Sequence, residues 1–370
     1  MQGQIGQRVA ARIGEVSPHR THRAIAEIIG MTPDSFSRAL RGQRAFSSIE
    51  LAQVADLLGA DIHWLITGES DPHRLVVAAR HEYDFQSGRR DVPGQADDQG
   101  TIKDVGLAYQ QAYQGAPLAA SILPPTLAGV REALGKDFVR SFADRLELCL
   151  NVDVVRVAGL STSYSLSIAG RRVIVLAATG NWFRENWSLA HELGHLVAGH
   201  LNDDRSSMAR DADENADEAS ANGFAAELLL PANQMREMDW VDLDAAELAR
   251  RVWDAGVSTD ALARRLSSLA IRSSDLIVTW AEWPTQRLLR CHWEFPEVVG
   301  DPITKRMDEA ATRRFPLSLQ DAHLGMIASG ALGKGTLAWM LGIDADDLEV
   351  DMPAASDDID PDALASALGL

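Results

Sequence analysis

Ser188-Leu189-Ala190-His191-Glu192-Leu193-Gly194-His195-Leu196-Val197 reads as one stretch of helix. His191 and His195 stand four residues apart, about 400° of helical rotation, so both imidazoles project from one face within reach of a single ion. That spacing suits tetrahedral zinc with two nitrogen ligands. Glu192, next to the first histidine, is placed to take a proton from water activated by the metal. The pattern is HExxH.

A catalytic metal needs a third protein ligand and an open position. His200 is the first residue to test, because one metalloprotease class continues HExxHxxGxxH. Here the glycine and histidine fall at Gly199 and His200, misplaced by one, and on a continuing helix His200 would point about 140° away from His195. It is rejected as a ligand. The better donor lies in a second helix, Asp213 to Pro231, where Glu218 and Asn222 share a face. Glu218 would complete a His-His-Glu set while Asn222 holds the second nitrogen of a ligand histidine. Glu214, one turn earlier, is the fallback. Phe224, Ala225, Leu228 and Leu229 would pack this helix into the core.

Upstream of the motif the hydrophobic period changes to two. Val152, Val154, Val155 and Val157 form one run, Tyr164, Leu166 and Ile168 a second, Val173 to Leu176 a third, with a hairpin turn at Ala169 to Arg172. A small antiparallel sheet is expected, preceded by a helical stretch from Leu127 to Leu148. Gln86 to Thr101, rich in Gly, Asp and Gln, reads as a linker or loop.

Residues 4–66 read as short helices. Ile5, Val9 and Ile13 step at helical spacing, and Thr21 caps a helix with Ile25, Ile28 and Ile29 inward that ends at Gly30. Thr32 caps the next helix, Pro33 takes its first position, and Gly42 stops it. Two helices joined across Gly30-Met31-Thr32 make a helix-turn-helix, whose second helix would enter the DNA major groove. Thr32, Asp34, Ser35, Ser37, Arg38, Arg41 and Arg44 are its candidate DNA-binding residues; Phe36, Ala39 and Leu40 would be buried.

Charge agrees with that placement. The chain of 370 residues has formal charge −18, which argues against non-specific coating of nucleic acid. Seven arginines and seven acids cancel within residues 1–70, so the whole excess lies beyond them, while residues 20–44 carry five arginines against Glu27 and Asp34. Hydrophobic residues at 46% and charged ones at 24% exclude wholesale disorder. No apolar run approaches the roughly 18 residues of a membrane span, and the N-terminus shows no export signal, so a cytoplasmic protein without membrane contact is expected. Cys149 and Cys291, the only two cysteines, are expected as buried free thiols.

Beyond residue 272 the sequence shows strand-like runs at Leu276 to Trp280 and Leu288 to Trp293. Helical segments follow at Leu317 to Ser329 and Leu337 to Leu341, then an acidic tail from Asp344 to Asp362.

Two segments resemble known families. THRAIAEIIGMTPDSFSRALRGQRAFSSIELAQVADLLGADIHWLITGE, starting at Thr21, resembles the five-helix domain of Xre/Cro-type repressors. SLAHELGHLVAGH followed by DEASANGFAAELLLP resembles the ImmA/IrrE zinc metallopeptidases over roughly residues 145–270, with Ser220 where the family commonly has a second acid. The fold class expected is mainly α with a small sheet (α+β). It comprises a helix-turn-helix domain at 1–70, a linker and helical connector at 71–144, an HExxH gluzincin-like metallopeptidase domain at 145–272 and a mostly helical extension at 273–370. The resemblance implies a zinc endopeptidase that cleaves a helix-turn-helix repressor protein, or itself, to switch on stress or mobile-element genes, with double-stranded DNA as a second partner and a homodimer on paired half-sites. Two rivals stand beside it: a DNA-binding regulator whose peptidase-like domain senses a ligand, and an antitoxin-like protein-binding module. Tyr164 and His200 are named only as possible donors to the oxyanion.

Overall fold

The computed structural model describes residues 2–17, 20–58, 60–68, 75–79, 82–84, 89–91, 94–113, 118–168, 170–200, 210–293 and 300–350, with backbone alone for 2–3, 75–91, 95–96 and 210–215. The acidic tail beyond 350 lies outside the described residues. The chain is mainly α with one small sheet and a two-stranded ribbon. It divides into two compact units, Met1–Val76 with Asn202–Asp217, and Val77–Leu201 with Glu218–Leu370.

The N-terminal part of the first unit holds, among the described residues, helices α1 (Gln2–Val16), α2 (His22–Ile28), α3 (Pro33–Leu40), α4 (Ser48–Leu58) and α5 (Ile62–Thr67). Val9, Ile13, Ile25, Ile29, Phe36, Ala39, Val54 and Leu65 close its core. Thr21 and Thr32 cap α2 and α3 through backbone N–H groups of Ala24 and Ser35, and Gly30, at φ 70°, makes the turn between them. The α2 face differs from expectation at one position: Ile28 is 56% exposed, because the buried stripe is Ile25, Ala26 and Ile29. Arg8 fastens the ends of the bundle, donating to the Leu65 and Ile66 carbonyls.

The sheet comprises β1 (Leu75–Ala79), which begins two residues before the second unit, and β4 (Val152–Val157), β5 (Tyr164–Ile168) and β6 (Arg171–Ala177) within it, in the order β1-β5-β6-β4. The ribbon pairs β2 (Glu82–Asp84) with β3 (Arg89–Asp91). The sheet is mixed, not antiparallel: β5 and β6 form the expected hairpin, but β4 pairs with β6 in parallel. Residues 158–170, β5 included, supply the return connection that a parallel pair requires. All six residues of β4 are buried, so both sheet faces are covered there.

Three further expectations are corrected. The supposed linker at Gln86 to Thr101 gives its end to α6 (Gln95–Ala112), whose first turn carries Asp97 and Asp98 where acids suit a helix N-terminus. The helical stretch from Leu127 is broken at Gly135 into α7 (Leu127–Leu134), a short 3-10 turn and α8 (Phe142–Leu150). The strand-like runs after 272 are helices α14 (Asp275–Ala281) and α15 (Thr285–His292), preceded by α11 (Ala232–Glu237), α12 (Ala245–Ala255) and α13 (Thr259–Ser268). Ser274 precedes α14 and Pro284 precedes α15, so a helix start lies ahead of each apolar run, and each helix buries apolar residues on a single face, Ile277 in one and Leu288 with Leu289 in the other. Cys291 lies off that face and is exposed, while Cys149 is half-buried.

Helices α16 (Pro302–Ala311), α17 (Leu317–Ala328) and α18 (Gly335–Leu341) pack into the same unit. Arg156 of β4 and Arg314 exchange backbone hydrogen bonds, and the Arg156 side chain donates to the Glu309 and Thr312 carbonyls.

Candidate metal centre

Helix α9 (Trp182–Ala198) begins at Asn181, whose side chain accepts from the Arg184 N–H, and ends at Gly199 in a left-handed turn at φ 73°. Its buried face lies against β5 and β6. Helix α10 (Arg210–Leu229) comes up to it at Gly194, where a Cβ would sit 3.1 Å from the Ala221 Cα and 3.2 Å from the Ala221 carbonyl oxygen. The missing side chain of Gly194 sets the distance between the two helices, and that approach carries Glu218 to the histidines.

His191, His195 and Glu218 are all buried and turn their ligand atoms to one point. The two Nε2 atoms are 3.1 Å apart, and the Glu218 oxygens lie 3.3 Å from His191 and 3.2 Å from His195. Donors at about 2.0–2.1 Å around a tetrahedral ion are separated by about 3.3 Å, so the triangle has the size of a three-ligand metal site. Burial by itself raises the Glu218 pKa, but hydrogen bonding to the two imidazoles overrides it and holds the carboxyl well below the usual range. Glu214 lies in the part of α10 described by backbone alone.

Both ligand rings are held from behind. The His191 Nδ1 donates to Asn222 Oδ1 at 3.1 Å, which leaves the Nε2 lone pair for a cation. His195 is held by His200, Nδ1 to Nδ1 at 2.9 Å. With His195 Nε2 directed at the cluster, His195 is the donor and His200 the acceptor. Rejecting His200 as a ligand agrees with this placement, but the extrapolated direction does not: α9 stops at Ala198, and Gly199 turns His200 back onto His195. The sequence signal was the glycine itself.

Glu192 is 1% exposed. Its Oε2 accepts from the Ser165 hydroxyl at 2.6 Å, whereas Oε1 is buried with no hydrogen-bond partner among the described residues. An unpartnered carboxylate oxygen in a closed site is costly unless a ligand or water completes it. Ser165, in the middle of apolar β5, was missed by sequence reasoning; a hydroxyl inside a buried strand was the available sign. Tyr164 does not serve as an oxyanion donor: its hydroxyl donates to Asp98 at 2.6 Å, and burial followed by the Asp98 carboxylate pushes its pKa well up.

In the first unit Asp34, Arg38 and Arg41 are exposed along α3. Thr32 and Ser35 bond each other, the Arg41 Nε returns to the Ser37 carbonyl, and Arg44 pairs with Glu50 at 2.7 Å. Among the described residues the Arg38 guanidinium has no partner.

No helix among the described residues is long and apolar enough to cross a membrane. No curated protein and no solved structure matches the chain. The stretch that carries the histidines and Glu218, residues 149–267, matches the M78 peptidase family model, described as the IrrE N-terminal-like domain, and is in that sense metallopeptidase-like.

Proposed function

We propose that the second unit is a zinc endopeptidase that cleaves a helix-turn-helix repressor protein, or this chain itself, and that the first unit binds double-stranded DNA, with a homodimer as the form that meets paired half-sites. The observation that carries the catalytic reading is the buried Oε1 of Glu192, without a partner among the described residues, in a helix that supplies two of three converging ligand atoms. Two imidazoles and a carboxylate are the donor set of a catalytic rather than a structural zinc, because three protein ligands leave a position open. The chemistry that zinc supplies at such a centre is polarisation of a peptide carbonyl and activation of water near neutral pH.

The chain's own residues do the rest. Glu192 accepts a proton at Oε1 and returns it to the leaving amine, while Ser165 holds Oε2 and fixes the orientation of the carboxylate. Asn222 and His200 fix the tautomers of His191 and His195. For the first unit, the capped helix α3 with exposed Arg38 supports a recognition role.

The test is metal content by mass spectrometry together with cleavage of a co-purified repressor. Stoichiometric zinc is expected in the wild type, lost in Glu218→Ala and retained in Glu214→Ala and Glu192→Gln, with cleavage abolished in the last. Protein purified without chelator and free of zinc would overturn the peptidase reading.

A further inference from the structure

Arg184, an exposed residue, stands in the first turn of α9, in a chain where 53 acids outnumber 35 basic residues. Among the described residues its guanidinium has neither an ion pair nor a hydrogen bond. It lines a cavity of about 140 Å³ together with Ser161, Thr162, Ser163, Thr179 and Ser188. Ser163 and Ser188 are each only 7% exposed, and neither hydroxyl has a partner among the described residues. The Ser161 hydroxyl is donated to Asp98 at 2.6 Å, whereas those of Ser163 and Ser188 are open to the cavity beside the Arg184 cation.

The charge in the cavity is simple. Glu185 also lines it, but its two oxygens are taken by Arg156 at 2.7 and 2.5 Å. Arg184 therefore contributes the one uncompensated charge among the lining residues. A single positive charge with hydroxyl donors suits a monoanionic carboxylate; a phosphate dianion calls for more cationic partners. The volume is well below the roughly 300–1,000 Å³ of pockets that bury drug-sized molecules, so the occupant is a small group.

Its position relates it to the metal centre. Ser188 precedes Glu192 by four residues, about 6 Å along α9. Ser163 precedes Ser165, the partner of Glu192, by two residues, about 6–7 Å along extended chain. Both walls thus set the cavity one step from Glu192, and that step is the distance between same-side residues of an extended peptide.

We propose that this cavity is a specificity subsite that takes the carboxylate side chain of an Asp or Glu two residues from the bond cleaved at the metal centre. The proposal rests on the peptidase reading, so its test has an arm that does not depend on cleavage.

The full chain, loaded with zinc, is given a blocked peptide library, and the products are sequenced by mass spectrometry. Wild type is expected to prefer Asp or Glu at one position two residues from the cut by about 10-fold to 100-fold, the range of a charge-assisted hydrogen bond. Arg184→Gln removes the preference and Arg184→Glu shifts it to Lys or Arg; Ser188→Ala weakens it. In the second arm, acetyl-Ala-Glu-Ala-amide and its Gln counterpart are titrated in turn while the Arg184 Nε–Hε resonance is followed. Displacement by the Glu peptide alone supports the subsite, and if no library peptide is cut it does so while overturning the peptidase reading. Cleavage with an acid preference unchanged in Arg184→Gln overturns the subsite and leaves the peptidase. Equal displacement by free acetate, an adventitious ion only, or no displacement by either peptide, also overturns it.

Discussion

Gly194 carries no functional group, yet its absence of a side chain lets α10 approach α9 closely enough for Glu218 to reach both histidines. Gly194→Val places methyl groups against the Ala221 backbone, which cannot move aside as a side-chain tip can. The expected result is at least about a 10-fold loss of zinc affinity with the N-terminal unit still folded, read by competition with a chromogenic chelator. His200 and Asn222 act on the metal through the rings they hold. His200→Ala and Asn222→Ala should each weaken zinc binding by about 10-fold to 100-fold, the usual cost of losing a partner behind a ligand histidine. Ser165→Ala leaves the metal count unchanged and lowers kcat, because only the general base loses its hydrogen bond. Equal zinc affinity in wild type and His200→Ala would show that the His195–His200 contact does not support the ligand. These residues also mark what was legible in the sequence. The i,i+4 spacing of His191 with His195 and of Glu218 with Asn222 specified local geometry, and the structure brings all four together. Ser165 meets Glu192 from another element, and His200 does so through a chain reversal, so neither follows from helical spacing alone.

At the scale of elements, β4, α9 and α16 are joined by a buried ion pair. Arg156 and Glu185 are each less than a tenth exposed, and the remaining guanidinium donor bonds the end of α16. Removing one partner strands the other charge, so Arg156→Ala should cost about 3–5 kcal/mol in urea unfolding, whereas the double change Arg156→Met with Glu185→Leu should recover most of that. Helices α6 and α17 are joined by His323, fully buried, whose Nε2 lies 2.8 Å from the Ala108 carbonyl and whose Nδ1 has no partner among the described residues. Burial lowers its pKa, and the bond to Ala108 offsets this only in part. The unfolded chain therefore binds a proton near pH 6.5 that the folded chain refuses. Its stability contribution is present above that pH and is lost as pH falls toward the folded pKa. The urea midpoint should drop between pH 7 and 5.5, and more steeply in wild type than in His323→Gln. Equal slopes would remove His323 as the cause. None of these tertiary ties was visible in the sequence. The parallel β4–β6 pairing was hidden too, since alternation within β4 reports burial and not strand direction.

Across the whole molecule, charge is divided as sharply as structure. Residues 1–70 balance to zero and everything after them carries −18. A DNA contact by the first unit would rest on Arg38 of α3 and on Arg41 and Arg44 just beyond it, in a chain whose remainder is strongly acidic, and such binding would lose affinity steeply with salt. The arginines are not equivalent. Arg38 is exposed and without a partner among the described residues, whereas Arg44 is tied to Glu50 and half-buried. Arg38→Ala should weaken binding to a duplex bearing the operator and reduce the salt slope by about one counterion, with no change in thermal stability or zinc content. Arg44→Ala should instead act on stability, because it strips Glu50 of the cation that keeps its carboxyl pKa low, and it should change the salt slope less. Fluorescence anisotropy at several salt concentrations, run beside thermal melts of the same proteins, separates the two effects. A salt slope that is the same for wild type and Arg38→Ala would place the phosphate contact elsewhere on the first unit.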